Sequence, residues 1–165
     1  QTSPLQLATM TARLANGGKS VKPWLTGIIS GKEVHTKPWD DLGINPDHLE
    51  IVKQGMIEVM RPGGTAYTHR IPDETMEMAG KTGTSQVKRI TMAERAAGLR
   101  RQEDIPWHYR HHGLFVCYAP VISPRYAACV VVEHGGGGAA TAAPIAKDIM
   151  WECEKRDPAA KPMRP

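Results

Sequence analysis

The spacing of apolar residues changes abruptly at the run RPGGTA, which contains Pro62 and two glycines. On its N-terminal side, apolar residues recur every three or four positions, as on one face of a helix. On its C-terminal side, three segments have the pattern of strands, and the last contains the β-branched run at residues 130–132. Strands joined by hairpin-type loops predict an antiparallel sheet that is covered by helices.

The first predicted helix carries signals at both of its ends. Ser3 is suited to be the N-cap, Pro4 fits the first helical position, and Gln6 completes a capping box. Gly17 suits the left-handed residue that follows a helix C-terminus. The predicted apolar stripe consists of Leu7, Met10 and Leu14.

The second predicted helix begins at Pro46, after the N-cap Asn45, and stops at the RPGGTA run. Its predicted buried face consists of Leu49, Val52, Met56 and Val59. Residues 18–45, between the two helices, are rich in Gly, Pro and Lys. They predict irregular structure with a short extended piece at residues 27–29.

Three strands and a closing helix are predicted in the rest of the chain. The strands lie within residues 76–87, 112–120 and 125–138, and the closing helix spans residues 141–156 with Pro144 near its start. A long insert, residues 88–112, separates the first two strands and contains a possible short helix within residues 91–103. The predicted fold class is therefore α/β of the α+β type, an antiparallel sheet flanked by helices.

This element order is thin for a complete domain, although 165 residues are enough for a real core. The chain begins with Gln1 and not with Met, and the first helix signal starts within three residues. We therefore expect a piece of a longer protein. Residues 1–156 are expected to form part of one domain, and residues 157–165 to be a disordered tail.

Charge and cysteine content exclude several classes of function. The net charge of +4 comes from Lys and Arg spread along the chain without a nucleic-acid motif, so we expect no nucleic-acid partner. Three cysteines without metal-site spacing argue against a disulfide scaffold and against a metal site. The sequence contains no apolar run near the roughly 20 residues of a membrane span, and we see no signal peptide.

The run AGKTGTSQV has two possible chemistries around Lys81. A phosphate-binding loop needs a Gly five residues before the Gly of Gly-Lys-Thr, and that position is Thr75. The residues after Thr82 should then open a helix, whereas residues 83–87 alternate like a strand. The pattern therefore favours a strand along the edge of an acyl-transfer site.

Such a strand has the groups that an acyl substrate needs. Thr82 and Thr84 project to one face, so two hydroxyls can meet a substrate carboxylate. Gly83 lets an acyl group come close to the backbone. On an edge strand, the N–H of Thr84 can bind a developing oxyanion. Lys81 adds positive charge for the carboxylate and for proton transfer, but alternation aims it away from the threonine face, so its long side chain has to reach round.

Five segments, in chain order, resemble the C-terminal part of the transpeptidase domain of class B penicillin-binding proteins. They are PLQLATMTARLANGG, GGTAY, AGKTGTSQV, HGLFVCYAP and VVVEHGGGGAATAAPIAKDIM, and the last is most similar to the elongation-specific penicillin-binding protein 2 family. The resemblance covers nearly the whole chain apart from residues 20–45 and the tail. It implies the penicillin-binding and β-lactamase-like serine acyltransferase fold, with an antiparallel sheet between helical layers.

The resemblance places the Lys-Thr-Gly-Thr signature on Lys81, Thr82, Gly83 and Thr84. It implies an intact parent that cross-links peptidoglycan stem peptides through an acyl-serine intermediate and is acylated by β-lactam antibiotics. Lys81, Thr82 and Thr84 would hold the substrate carboxylate, and the N–H of Thr84 would form half of the oxyanion hole. No metal or organic cofactor is required.

The resemblance also implies partners and a compartment. The expected partners are the N-terminal remainder of the same protein and elongation-complex membrane proteins, including a glycosyltransferase. The expected location is the periplasmic face of the bacterial inner membrane.

Two rival functions stay open. One is a β-lactamase or D,D-carboxypeptidase of the same fold, which uses water as the acceptor. The other is a non-catalytic interaction module.

The nucleophile of this family, the Ser of a Ser-x-x-Lys helix, is not expected in the chain. Among the five serines only Ser85 has a Lys three residues on, at Lys88. None has an Asn two residues on, as the assisting Ser-x-Asn loop of the family requires. Ser85 lies in a predicted strand, where residues three apart face opposite ways. The chain is therefore expected to carry one wall of an active site and to lack the nucleophile.

Three other groups of residues have structural interpretations. His108, His111 and His112 lack consistent metal-ligand spacing and a carboxylate partner. By resemblance, their insert lies near the mouth of the cleft, where a substrate or partner role is open and mobile surface is the default. Glu133 and His134 are adjacent on a strand and point apart, and the glycines at 135–138 predict a flexible turn.

Overall fold

The computed structural model describes residues 2–34, 37–98 and 100–157 of the chain. In chain order its elements are α1 (Pro4–Ala15), β1 (Ile28–Ile29), β2 (Lys32–Glu33), α2 (Pro46–Glu58), β3 (Ala79–Ser85), α3 (Met92–Ala96), β4 (His112–Ala119), β5 (Tyr126–Val132) and α4 (Gly138–Lys155). Short 3-10 helices lie at Tyr67–His69, Glu74–Met76, Gln102–Asp104 and Trp107–Tyr109. No helix among the described residues is long and apolar enough to cross a membrane.

A three-stranded antiparallel sheet in the order β3-β4-β5 forms the centre of the fold. In its register Thr82 lies opposite Phe115, and Thr84 lies opposite Gly113. Within the described part of the chain, β3 and β5 each pair with β4 alone, so both are edge strands. The predicted antiparallel sheet with flanking helices is confirmed. β3 is an edge strand, as the predicted oxyanion contact of the Thr84 N–H requires.

Helices cover both faces of this sheet because alternate residues of β4 are buried on opposite sides. On one face, Phe115 and Cys117 pack in a cluster with the small residues of α4 and with Met150. On the other face, Tyr118 packs with Ala15 of α1 and Met56 of α2. The Ala-rich surface of α4 lets its backbone approach the sheet closely, which matters for the site below.

The predicted end signals of α1 are confirmed. The hydroxyl of Ser3 accepts from the N–H of Gln6 at 3.2 Å, and the N–H of Ser3 donates to the Gln6 side chain at 2.8 Å. At the other end Gly17 has φ +80°, and the N–H of Gly18 donates to the carbonyl of Arg13 at 2.8 Å. These contacts satisfy backbone groups that a helix end would otherwise leave unpaired.

The predicted buried faces of α1 and α2 are partly wrong. In α1 the fully buried positions are Thr11 and Ala15, whereas Met10 is 45% exposed. The cause is that α1 lies across β4 and β5 on its small residues, and the Thr11 hydroxyl is satisfied by the Leu7 carbonyl at 2.9 Å. In α2, Val52 is 45% exposed because the helix packs mainly on the edge strand β3 and on α1, through other residues that include Met56.

Several element boundaries also differ from the prediction. The strand β2 was not predicted; it pairs with β1 across Ser30 and Gly31, whose φ angles of +50° and +77° allow a tight hairpin turn. The helix in the insert is shorter than expected, and α4 starts at Gly138, inside the glycine run. Asp157, the first residue of the predicted tail, is buried and paired with Arg125. The rest of the predicted tail, residues 158–165, lies outside the described residues.

Candidate active site

The strand β3 presents the Lys-Thr-Gly-Thr run along an open edge of the sheet. It continues through Ser85 without opening a helix, so the phosphate-loop alternative is wrong and the predicted strand is confirmed. Thr82 and Thr84 share the face on which Phe115 lies, as their register with β4 requires. Thr82 is half-buried and Thr84 is exposed, so their hydroxyls line the outer part of this face. In an edge strand, alternate residues leave their N–H and C=O groups unpaired by the sheet.

Lys81 reaches the threonine side of the strand although alternation points it the other way. Its ammonium group donates to the carbonyl oxygen of Thr82 at 3.0 Å and lies 3.4 Å from the Thr82 hydroxyl. The long side chain therefore curls over the exposed edge, as the sequence required for a role at this site. A cation and a hydroxyl are thereby brought together at one point of the strand.

A second hydroxyl meets Thr82 from outside the strand. Thr65 Oγ1 lies 3.3 Å from Thr82 Oγ1, and either oxygen can be the donor. Thr65 belongs to the GGTAY run of the resemblance, but the sequence predicted no site role for it. The two threonines are separated by 17 positions, and no periodicity links a turn to a strand over that distance. The only available signal was the recurrence of the motif in the resemblance.

The resulting cluster of Lys81, Thr82 and Thr65 is suited to an anion. An ammonium has only donors and each hydroxyl can donate one proton, so the cluster can direct several hydrogen bonds to one carboxylate. Thr84 and the unpaired backbone groups of the edge strand extend this surface along β3. Gly83 adds no side chain to the strand between the two threonines.

The pair Ser85 and Lys88 is not arranged as a nucleophile with its base. Ser85 is the last residue of β3 and is exposed, while the Lys88 ammonium is bound to Glu94 at 2.9 Å. The two residues do not share a helix, which is the geometry that the Ser-x-x-Lys spacing needs. The thiol of Cys117 is fully buried, and burial raises its pKa to about 12, which disfavours the reactive thiolate.

The histidines hold the insert in place through their ring nitrogens. His111 Nδ1 accepts from the N–H of Val87 at 3.4 Å, and His112 Nδ1 accepts from the N–H of His134 at 2.9 Å. The His134 ring also packs against Trp107 with centroids 4.5 Å apart. Within the described residues, no group of three His, Cys, Asp or Glu side chains has the geometry of a metal site. These contacts tie the two ends of the insert to each other and its C-terminal part to the turn before α4.

The segment predicted as a glycine turn joins β5 to α4 and ends beside β3. The turn itself is formed by Glu133 and His134, Gly135 and Gly136 lead from it toward α4, and Gly138 is buried as the first residue of that helix. Glu133 is exposed, and His134 has φ +54° and faces the insert. Both residues lie in the turn after β5, so the prediction that they are adjacent on a strand is wrong, although their side chains do have different surroundings.

Residues 1–151 match the sequence profile of the penicillin binding protein transpeptidase domain. The chain belongs to this family. Among curated relatives, the peptidoglycan D,D-transpeptidase MrdA of Acinetobacter baumannii is 37% identical over an alignment of 166 positions, which covers 94% of this chain and 23% of the relative. The enzyme of the same name from Haemophilus influenzae is 32% identical over 157 residues, covering 90% of this chain and 23% of the relative. The chain thus spans about a quarter of the length of these penicillin-binding transpeptidases.

Solved structures agree with this family membership. The Pseudomonas aeruginosa PBP2 in complex with WCK 5153 superimposes with a TM-score of 0.73 and 33% identity, over 98% of this chain and 32% of that protein. The Helicobacter pylori PBP2 in its complex with MreC superimposes with a TM-score of 0.65 over 94% of this chain and 25% of that protein. At 24% identity the second likeness shows the fold alone. The penicillin-binding transpeptidase fold predicted from the sequence is therefore confirmed.

Proposed function

We propose that this chain forms the Lys-Thr-Gly-Thr wall of the active site in a peptidoglycan D,D-transpeptidase. The observation that carries the proposal is the Lys81 ammonium beside the Thr82 hydroxyl on an edge strand. A stem peptide ends in a carboxylate, and this cation and hydroxyl are the groups that bind one. The similarity to enzymes named D,D-transpeptidases supports transfer to an amine in preference to transfer to water.

In this proposal the stem peptide binds along the open edge of β3 as an additional strand. Lys81, Thr82 and Thr84 hold its terminal carboxylate. The nucleophilic serine comes from the part of the protein outside this chain and attacks the peptide carbonyl. The N–H of Thr84 stabilises the resulting oxyanion, a contact whose removal costs about 3–4 kcal/mol in related acyl transfer. The amine of a neighbouring stem peptide then displaces the serine from the acyl group.

The same arrangement accounts for acylation by β-lactam antibiotics. A penicillin carries a carboxylate next to a reactive carbonyl, so it can occupy the position of the stem-peptide terminus. Its acyl-enzyme forms on the same serine and not on this chain.

We further propose that the intact protein acts at the periplasmic face of the inner membrane, with elongation-complex partners that include a glycosyltransferase.

The decisive experiment replaces Thr84 with Pro in the full-length protein, because proline removes the N–H and is tolerated on edge strands. The second-order rate constant for acylation by benzylpenicillin is measured, intact mass confirms the adduct, and peptide mass mapping locates it. We expect the rate constant to fall by about 100-fold or more. An unchanged rate constant in a folded Thr84→Pro protein would refute the oxyanion assignment.

Ser85→Ala is the matched control for this experiment. Ser85 is the next residue of the same strand, and its exposed side chain has no assigned role in the reaction. Its replacement should leave both the rate constant and the position of the adduct unchanged. Loss of acylation in Ser85→Ala would place the nucleophile in this chain and contradict the proposal.

A further inference from the structure

The Thr82 hydroxyl carries one proton and lies beside two groups that can donate to it, the Lys81 ammonium and the Thr65 hydroxyl. A hydroxyl provides one O–H donor and two acceptor lone pairs. The Lys81 ammonium can only donate, so its contact with Thr82 Oγ1 at 3.4 Å occupies one of these lone pairs. If Thr65 donates across the 3.3 Å contact, it occupies the second lone pair. The proton of Thr82 is then left for an acceptor that arrives at the site.

The backbone on both sides of Thr65 holds this hydroxyl in place. The N–H of Gly64 donates to the Arg61 carbonyl at 2.8 Å, and a Cβ on Gly64 would overlap the backbone at the end of α2. On the other side, Ala66 is fully buried and its N–H donates to the Val59 carbonyl at 3.0 Å. Thr65 itself is β-branched and therefore has few side-chain rotamers. The GGTA run thus acts as a rigid arm that brings one hydroxyl to β3.

We propose that Thr65 is a positioning residue, which directs the Thr82 proton toward the carboxylate of the substrate. It acts through Thr82 and does not need to touch the substrate itself. This inference rests on the proposed function, because it assumes that Thr82 binds a carboxylate. It also explains why an exposed threonine is held between a glycine that cannot carry a side chain and a fully buried alanine.

The role can be tested with Thr65→Val, which keeps the branched shape and replaces the hydroxyl with a methyl group. In the full-length protein, acylation by benzylpenicillin is compared with acylation by its methyl ester, whose carboxylate is neutralised. We expect Thr65→Val to slow acylation by benzylpenicillin roughly five- to tenfold. Acylation by the ester should change less than about twofold, because a neutral ester accepts a weaker hydrogen bond. Thr65→Ser keeps the hydroxyl and should restore most of the rate.

The outcomes separate this inference from the proposed function. Equal slowing of both ligands would indicate a structural role for Thr65 and overturn the inference. An unchanged rate in Thr65→Val, with a reduced rate in Thr82→Val, would also overturn it but would leave the proposed site intact. Unchanged rates in both variants would refute the assignment of the carboxylate site as well. The melting temperature of each variant checks that the fold is retained.

Discussion

Gly138, the first residue of α4, lies against Gly83 in the middle of the Lys-Thr-Gly-Thr strand. A Cβ on Gly138 would stand 2.5 Å from the carbonyl oxygen of Gly83 and would also overlap the Leu114 carbonyl. Both obstacles are backbone atoms of paired strands, so neither can move aside as a flexible side chain would. The position of β3, and with it the edge proposed to bind substrate, therefore depends on a glycine more than 50 residues away in the sequence.

Replacing Gly138 with Ala should displace β3 from α4 and impair the site. We expect a loss of about 1–3 kcal/mol of unfolding free energy from overpacking. Because the strand that carries Thr82 and Thr84 has to shift, acylation by benzylpenicillin should slow as well. Thermal unfolding and acylation kinetics of the full-length protein measure the two effects.

Gly137→Ala is the control for that substitution, since Gly137 is the preceding residue and has open space around its Cα. Its φ of −98° is also accessible to alanine. This variant should differ from the parent by less than about 0.5 kcal/mol. If both alanines had the same effect, general loss of glycine flexibility and not the contact with Gly83 would be the cause.

Local signals in the sequence predicted the elements of the fold but not all of their boundaries. The capping box of Ser3 and Gln6 and the alternating strand at Lys81 were predicted correctly because each depends on neighbouring residues. The start of α4 was placed too late, since glycines disfavour helices on propensity alone. At Gly138 close packing against β3 and β4 overrides that propensity.

Features that depend on distant partners were not predictable in the same way. The exposure of Met10 and Val52 follows from which part of each helix meets the sheet, and helical periodicity does not contain that information. The meeting of Thr65 with Thr82 joins a turn to a strand. The strand residues of the candidate site could therefore be proposed from the motif, whereas the Thr65 hydroxyl beside them became visible only in the structure.

The hydroxyl of Tyr118 is buried without a hydrogen-bond partner among the described residues. Burial raises its pKa to about 12, so it remains a neutral and unsatisfied donor. Tyr118→Phe removes this group and keeps the ring, and should stabilise the protein by about 1 kcal/mol or leave it unchanged. Chemical unfolding checks the sign, and Tyr118→Ala, which should lose about 3–5 kcal/mol, is the comparison that reports ring packing. A clear loss in Tyr118→Phe would show that the hydroxyl does have a partner.

Glu154, near the end of α4, is 4% exposed, and one of its carboxylate oxygens has no partner among the described residues. Burial, together with the negative charges of Asp73 and Asp157, raises its pKa from 4.5 to about 7. The folded state therefore binds the proton more tightly than the unfolded state. The resulting stability is fully present below pH 4.5 and is lost as the pH rises through about 7.

Glu154→Gln should remove this pH dependence, because the amide stays neutral. We expect the variant to be more stable than the parent by about 1–2 kcal/mol at pH 8 and to show no gain at pH 4. Glu152→Gln is the control, since Lys155 and Arg156 lower the pKa of Glu152 and its loss should not stabilise the protein. A Glu154→Gln protein less stable than its parent at pH 8 would mean that the buried charge is compensated.

Gln102 connects the insert to the base of β4. Its side-chain oxygen accepts from the N–H of His111 at 2.9 Å, and the His111 carbonyl accepts from the N–H of Gly136 at 2.8 Å.

Gln102→Ala removes the first of these contacts, so the insert should open more often. Trypsin cleavage of the full-length protein after the exposed Arg100 and Arg101 should accelerate roughly fivefold. Gln86→Ala changes an exposed glutamine that makes no side-chain hydrogen bond among the described residues, and it should leave cleavage unchanged. Equal cleavage rates in the two variants would show that the histidine contacts alone hold the insert.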